Sequence, residues 1–458
     1  MNAPKRSYSG YRRVILILLA LAFAVPSTRA AESELEKEFR LAKHGIQAQL
    51  KNKSREQRLA AVKKLEEFPV LDAAKLLLLS GMTGGDAEVR RASYETLLTF
   101  KDNEEIALFL AASVGKDLKR GAVDERTCGA LGVLLASKNP TVEEKAKQLL
   151  DEAASTPNAS GLLLLVTVAD VLGTEATESS LASLLKLSQM PLFPKHFAFR
   201  RAVTQGLMKV RQVEAVTAIV EMLPSLQGEV RSDIVRYLTA ISGRQIGIDP
   251  ALWADWWKSS KATFKFPEKT QPLVAAKANV GPPGANSYYG LQLLAMRIVF
   301  VMDTSGSMRG ARIEAAKREL IKAIMELPEE THFSVLVFNS RIAVWQAKLV
   351  LATSENKEGA CRFVADQELG PATASYDALE AALTFDAEAI YFVTDGAPRG
   401  GKVTQPAQIV TLITKLNSLH RMTVNSIGIG VGAEGNEFDT FLKALASSNY
   451  GQYIRLDE

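Results

Sequence analysis

The chain has 458 residues, 47% apolar and 23% charged, enough to bury the cores of two or three domains and too apolar for a disordered polymer. Its formal charge of +4 is misleading: residues 1–30 hold Lys5, Arg6, Arg12, Arg13 and Arg29 and no acid, which leaves 50 basic against 51 acidic residues elsewhere. A near-neutral body lacks the electrostatic footprint of a nucleic-acid binder, so no such partner is expected. Cys128 and Cys361 do not make a disulfide framework, and their helical, apolar contexts read as buried free thiols rather than a bridge.

Residues 1–30 have the layout of a secretory signal. Basic residues precede the twelve apolar residues Val14–Val25; Pro26 ends that run, and Thr28-Arg29-Ala30 forms a small-x-small cleavage site. Twelve helical residues rise about 18 Å, well short of a ~30 Å hydrocarbon core. Cleavage and export to the periplasm or the extracellular space are therefore expected, with no permanent transmembrane span.

From 31 to 260 the sequence is a succession of amphipathic helical windows with short breaks. Ser54-Arg55-Glu56-Gln57-Arg58-Leu59-Ala60, leading to Leu65 and Phe68, is echoed by Asp86-Ala87-Glu88-Val89-Arg90-Arg91-Ala92, leading to Leu97 and Phe100. Further echoes lie at Asp124–Cys128, at Phe199–Ala202 through Leu207, and at Glu229–Arg231 through Leu238. A polar residue to cap each helix, a small residue for close packing and a core leucine suit stacked helix pairs. The pattern resembles HEAT-type repeats, which implies an all-α solenoid. Trp253, Trp256 and Trp257 share one helix face and read as a hydrophobic lid on the last repeat. The stretch Gly243–Pro250 followed by Trp-x-x-Trp-Trp resembles the ends of such regions in secreted bacterial, planctomycete-type proteins.

Residues 261–286 change character. Four prolines, Gly281, Gly284 and four lysines make this a semi-extended linker between two units that could reorient. Strands and helices then alternate over 287–458. Strands are predicted at Arg297–Met302, His332–Phe338, Arg341–Gln346, Ala389–Thr394, Thr423–Ile429 and Gln452–Leu456. Helices are predicted at Arg312–Leu327, Asn356–Asp366, Ser375–Leu383, Gln405–Leu419 and Glu437–Ala446. Near-continuous apolar strands alternating with helices imply a mostly parallel, doubly wound sheet, with ligands bound at the carboxyl ends of its strands.

Asp303 and Asp395 sit at two such ends. The first opens Asp303-Thr304-Ser305-Gly306-Ser307, a carboxylate and two hydroxyls held in a tight turn, an all-oxygen cluster suited to a hard divalent cation. Two further segments, Gly370-Pro371-Ala372-Thr373 and Thr394-Asp395-Gly396, complete a constellation that closely resembles the metal-ion-dependent adhesion site of von Willebrand factor A (VWA) domains. The resemblance implies Ser305, Ser307 and Thr373 as hydroxyl ligands, with Asp303 and Asp395 acting directly or through water. The cofactor it implies is Mg²⁺, with Mn²⁺ or Ca²⁺ as alternatives, and the ligand is a protein offering an acidic side chain to the open coordination position. Ala372 stands where a glycine commonly precedes the threonine.

Enzyme signatures are missing from the chain. A phosphatase aspartate wants a second Asp where Ser305 stands, and no nucleophile elbow or phosphate-cradling Gly-x-x-x-x-Gly-Lys occurs. His44, His196, His332 and His420 are scattered. The expected fold class is thus multidomain, an N-terminal all-α HEAT-like solenoid and a C-terminal α/β, Rossmann-like VWA domain. The expected function is non-enzymatic, metal-dependent protein binding, adhesion or scaffolding, with the solenoid as a second interaction surface. An accessory subunit of an ATPase-driven assembly is the main alternative, and a metal-dependent hydrolase a lesser one.

Overall fold

A computed structural model of the chain describes residues 33–83, 86–155, 159–268 and 286–456. The expected signal segment and most of the linker lie outside the described residues. Among the described residues up to 268, helices follow one another with short breaks and no strand intervenes. The capping logic of the repeats holds at two of its three N-terminal positions. Asp86 accepts from the amides of Glu88 and Val89, and Asp124 forms a capping box with Thr127, whereas Ser54 makes no side-chain cap. Leu65, Leu97, Leu207 and Leu238 are all fully buried in one continuous core that runs the length of the helical region.

The tryptophans end that core. Trp253 Nε1 donates to the Gly247 carbonyl at 2.7 Å and Trp257 Nε1 to Thr217 Oγ1 at 3.1 Å, so both indoles are buried with their polar edge satisfied. Phe264 and Phe266 extend the cluster, with Phe264 packed edge-on against Trp257 at 5.2 Å. The first residues of the expected linker are thus fastened to the helical region.

Among the described residues the C-terminal region holds nine strands. A small hairpin pairs β1 (Ser287–Tyr288) with β2 (Leu291–Gln292). The main sheet contains β3 (Arg297–Asp303), β4 (His332–Phe338), β5 (Ile342–Val344), β6 (Val350–Leu351), β7 (Ala389–Thr394), β8 (Thr423–Ile429) and β9 (Tyr453–Leu456). Its order is β5-β4-β3-β7-β8-β9, with β6 also pairing β4. The strands β4, β3, β7, β8 and β9 are parallel, and only the short β5 and β6 run against β4. Apolar clusters cover both faces of the sheet, as buried, non-alternating strands require. The chain leaves β3 on one side to form β4 and returns on the other to form β7. The ends of β3 and β7 are therefore the topological switch point of the sheet, the place where sheets of this kind bind ligands.

The helical region is docked onto the opposite, amino-terminal ends of these strands. Glu388, which precedes β7, accepts from the amides of Met296 at 3.1 Å and Glu229 at 3.2 Å. Arg201 donates to the Arg421 carbonyl at 2.6 Å and to Thr423 Oγ1 at 2.9 Å, while Asp233 holds its other edge at 2.7 Å. Arg421 in turn reaches Asp170 at 2.7 Å. Gly228, at φ +62°, is required here, because a Cβ would fall 1.9 Å from Glu388 Oε2. The two regions meet through this polar, largely buried interface, which differs from the freely reorienting pair that the Pro/Gly segment suggests. Linker composition reports only on the connecting chain, whereas the docking groups lie far from it in sequence.

Candidate metal centre

Three loops converge at the carboxyl ends of β3 and β7. Asp303 is wholly buried, and both its oxygens are engaged: Oδ1 accepts from the Ser305 amide at 2.7 Å and Oδ2 from Thr394 Oγ1 at 2.6 Å. Burial pushes its carboxyl up to about 6, against the lowering effect of those hydrogen bonds. Asp303 is thus the organiser of the first loop, fixing the backbone that carries both serines. Ser305 Oγ lies 3.0 Å from Ser307 Oγ, which donates to Asp395 Oδ1 at 2.8 Å.

The Thr373 loop is tied in separately. Gly370 donates to the Thr304 carbonyl at 2.9 Å and forms a parallel bridge with Ser305. Asn339, at the end of β4, spans both loops: its amide side chain donates to Thr304 Oγ1 at 3.1 Å and its carbonyl accepts from Ala374 at 2.9 Å. Thr373 itself is buried, and its carbonyl accepts from Arg399 at 3.1 Å. Among the described residues no hydrogen bond joins the Thr373 hydroxyl to the other four candidates. Ala372 has φ +59°, the left-handed region that favours glycine, so the alanine stands at a position of real backbone strain.

Asn339 and Arg312 take part without having been singled out in the sequence, and Thr394, named there only as a neighbour of Asp395, binds Asp303. Thr394 was legible in principle as the hydroxyl beside Asp395, whereas Asn339 and Arg312 reach the site only through the fold. Arg312 Nη1 lies 3.1 Å from Asp395 Oδ2.

The donor chemistry, hydroxyls and carboxylates, fits a hard divalent cation. Octahedral bonds of 2.0–2.1 Å give oxygen–oxygen edges of about 2.9 Å, and the equatorial edges of a seven-coordinate Ca²⁺ shell at 2.3–2.6 Å fall at about 2.7–3.1 Å. The Ser305–Ser307 and Ser307–Asp395 contacts, 3.0 and 2.8 Å, are hydrogen bonds that hold these oxygens as close together as neighbouring ligands of either ion. Among the described residues no group of three or more His, Cys, Asp or Glu side chains could hold an ion. The cluster here has two carboxylates, with hydroxyls making up the rest.

Residues 296–454 match the family model of the von Willebrand factor type A domain. The C-terminal region is a VWA domain. Part of the chain is similar to human inter-alpha-trypsin inhibitor heavy chain H1, 29% identical over 175 residues, or 35% of this chain and 18% of that protein. It is likewise similar to human heavy chain H4, 31% identical over 185 residues, or 37% and 19%. The matches thus span under a fifth of these relatives' length. Among solved structures, a von Willebrand factor type A protein from Catenulispora acidiphila is 21% identical, covers 35% of this chain and 38% of its own, and superposes with a TM-score of 0.32. The VWA domain and the helical region before it together form the multidomain architecture expected from the sequence.

The cysteines differ slightly from expectation. Both are free, but only Cys128 is buried, and that burial pushes its thiol up to about 12; Cys361 is half-buried.

Proposed function

We propose that this chain is a non-enzymatic protein-binding module whose VWA domain engages its partner through Mg²⁺. Ser305, Ser307 and Thr373 would supply hydroxyl oxygens, Asp395 a carboxylate and Asp303 the buried anchor of the loop. The observation that carries this reading is the convergence of Asp303, Ser305, Ser307 and Asp395 at the carboxyl ends of β3 and β7, an all-oxygen cluster of two carboxylates and neutral hydroxyls. When bound, the ion supplies an electrophilic coordination position for an acidic side chain of the partner. The protein's own part is to hold neutral hydroxyls and only two carboxylates, so that the loaded centre carries no net negative charge to repel an acidic partner.

The strands separate this site from the helical docking surface by about 20 Å, the length of a six-residue strand. The site faces away from the helices, so a partner can approach it without meeting them. The helical region, read as a HEAT-type solenoid, then offers a second surface for another protein. We further infer export, from residues 1–30; no helix among the described residues is long and apolar enough to cross a membrane.

Calorimetric titration of Mg²⁺ and Mn²⁺ into the full chain, beside the Ser305→Ala/Ser307→Ala variant, tests the reading. Saturable binding lost in the variant is expected. Equal binding in both proteins would overturn the assignment of the site, and no binding in either would overturn metal dependence.

A further inference from the structure

Arg312 is the second residue of the helix Ala311–Met325, which the chain enters directly from the Ser305–Ser307 loop through Gly310 at φ +83°. A cation in the first turn opposes the positive end of the helix dipole, so local preference argues against arginine there. Its guanidinium turns back to the candidate metal centre, with Nη1 3.1 Å from Asp395 Oδ2 and 3.5 Å from the Ser307 carbonyl. The Asp395 side chain is wholly buried, whereas that of Arg312 retains 30% of its exposure. Asp395 is thus shared, one oxygen facing the Ser307 hydroxyl and the other a permanent cation. A local rule broken at a functional site points to a function for the residue that breaks it.

We propose that Arg312 is a built-in counter-ion of this centre, competing with the divalent metal for Asp395 and thereby lowering its affinity. The inference rests on the metal reading above. Guanidinium keeps its charge at any working pH, so the competition is constant rather than switched by protonation. Two carboxylates, one guanidinium and one divalent ion leave the loaded centre with a single net positive charge. Without Arg312 the loaded centre would be neutral and would attract an acidic side chain less. The residue therefore trades metal affinity for attraction of the partner.

The test is a Mg²⁺ titration of the full-length wild type, Arg312→Gln, Arg312→Met and Arg312→Lys, each shown by its thermal transition to be folded. Both neutral variants are expected to bind Mg²⁺ about tenfold more tightly, with Arg312→Lys close to wild type. A gain of affinity is a readout that structural damage would not produce. Unchanged or weaker binding in both neutral variants, with wild type binding normally, overturns the competition and leaves the metal site standing. Absence of saturable binding in all four proteins overturns the metal reading and the competition together.

Discussion

Arg201 and Arg421, one from each region of the chain, face the same aromatic ring: their guanidiniums lie 4.6 and 5.4 Å from the centroid of Tyr450. Arg201 is wholly buried, with Glu229 and Asp233 as its carboxylate neighbours. Replacing it by Met would remove the buried cation facing Glu229 and leave Asp233 with Arg236 at 3.6 Å, a loss of about 3–5 kcal/mol. Because the damage falls on the docking surface, we expect Arg201→Met to separate the melting of the two regions. A calorimetric scan should show two transitions in place of one. A single transition at an unchanged temperature would mean that this contact does not couple the regions.

Glu388 gives the same interface a pH dependence. Burial raises its carboxyl to about 7, an effect reinforced by Glu229 and opposed by the backbone amides of Met296 and Glu229 and by Arg200. The folded chain therefore binds more protons than the unfolded chain between about pH 4.5 and 7, and stability falls as pH rises through that window. Glu388→Gln keeps an oxygen for the two amides and removes the titration. Denaturant unfolding at pH 5 and pH 8 should show the variant gaining roughly 1–2 kcal/mol on the wild type at the higher pH. Parallel stability curves for the two proteins would rule out this role.

Much of this architecture was legible because strands with period-free apolar runs have few alternatives. His332–Phe338, Ala389–Thr394 and Thr423–Ile429 coincide with their predicted bounds. The hairpin of β1 and β2, two residues per strand, carries no periodicity and was missed, as was β6. The docking interface was invisible for a different reason. Arg201 reads in sequence as one of several arginines in a repeat echo, and only packing of segments more than 200 residues apart makes it a buried ligand of the Arg421 carbonyl. Arg312 was hidden likewise, since nothing in its helix discloses a contact with Asp395.

Ala372 offers a test of the strain beside the site. At φ +59° an alanine costs about 1–2 kcal/mol relative to its preferred region, partly offset by the extra chain entropy that glycine loses on folding. Ala372→Gly should therefore stabilise the chain by roughly 0.5–1 kcal/mol. It removes no candidate ligand atom, so Mg²⁺ affinity should stay within about twofold of wild type. Destabilisation would show that the alanine methyl contributes packing worth more than the strain.

Thr394 separates organisation of the site from ligation. Its hydroxyl donates to Asp303 Oδ2 at 2.6 Å, one of the bonds that hold a buried carboxylate in its charged form. Thr394→Val keeps the side-chain shape and removes that donor, leaving a buried acceptor short of a partner at a cost of about 1–3 kcal/mol. The Asp303 carboxyl should then rise further above the ordinary carboxylate range, so that protons compete with metal at a higher pH. Mg²⁺ titrations at pH 6 and pH 8 should show the variant weakened more at pH 6 than at pH 8. An equal loss at both values would place Thr394 in shaping the loop rather than in setting the charge of Asp303.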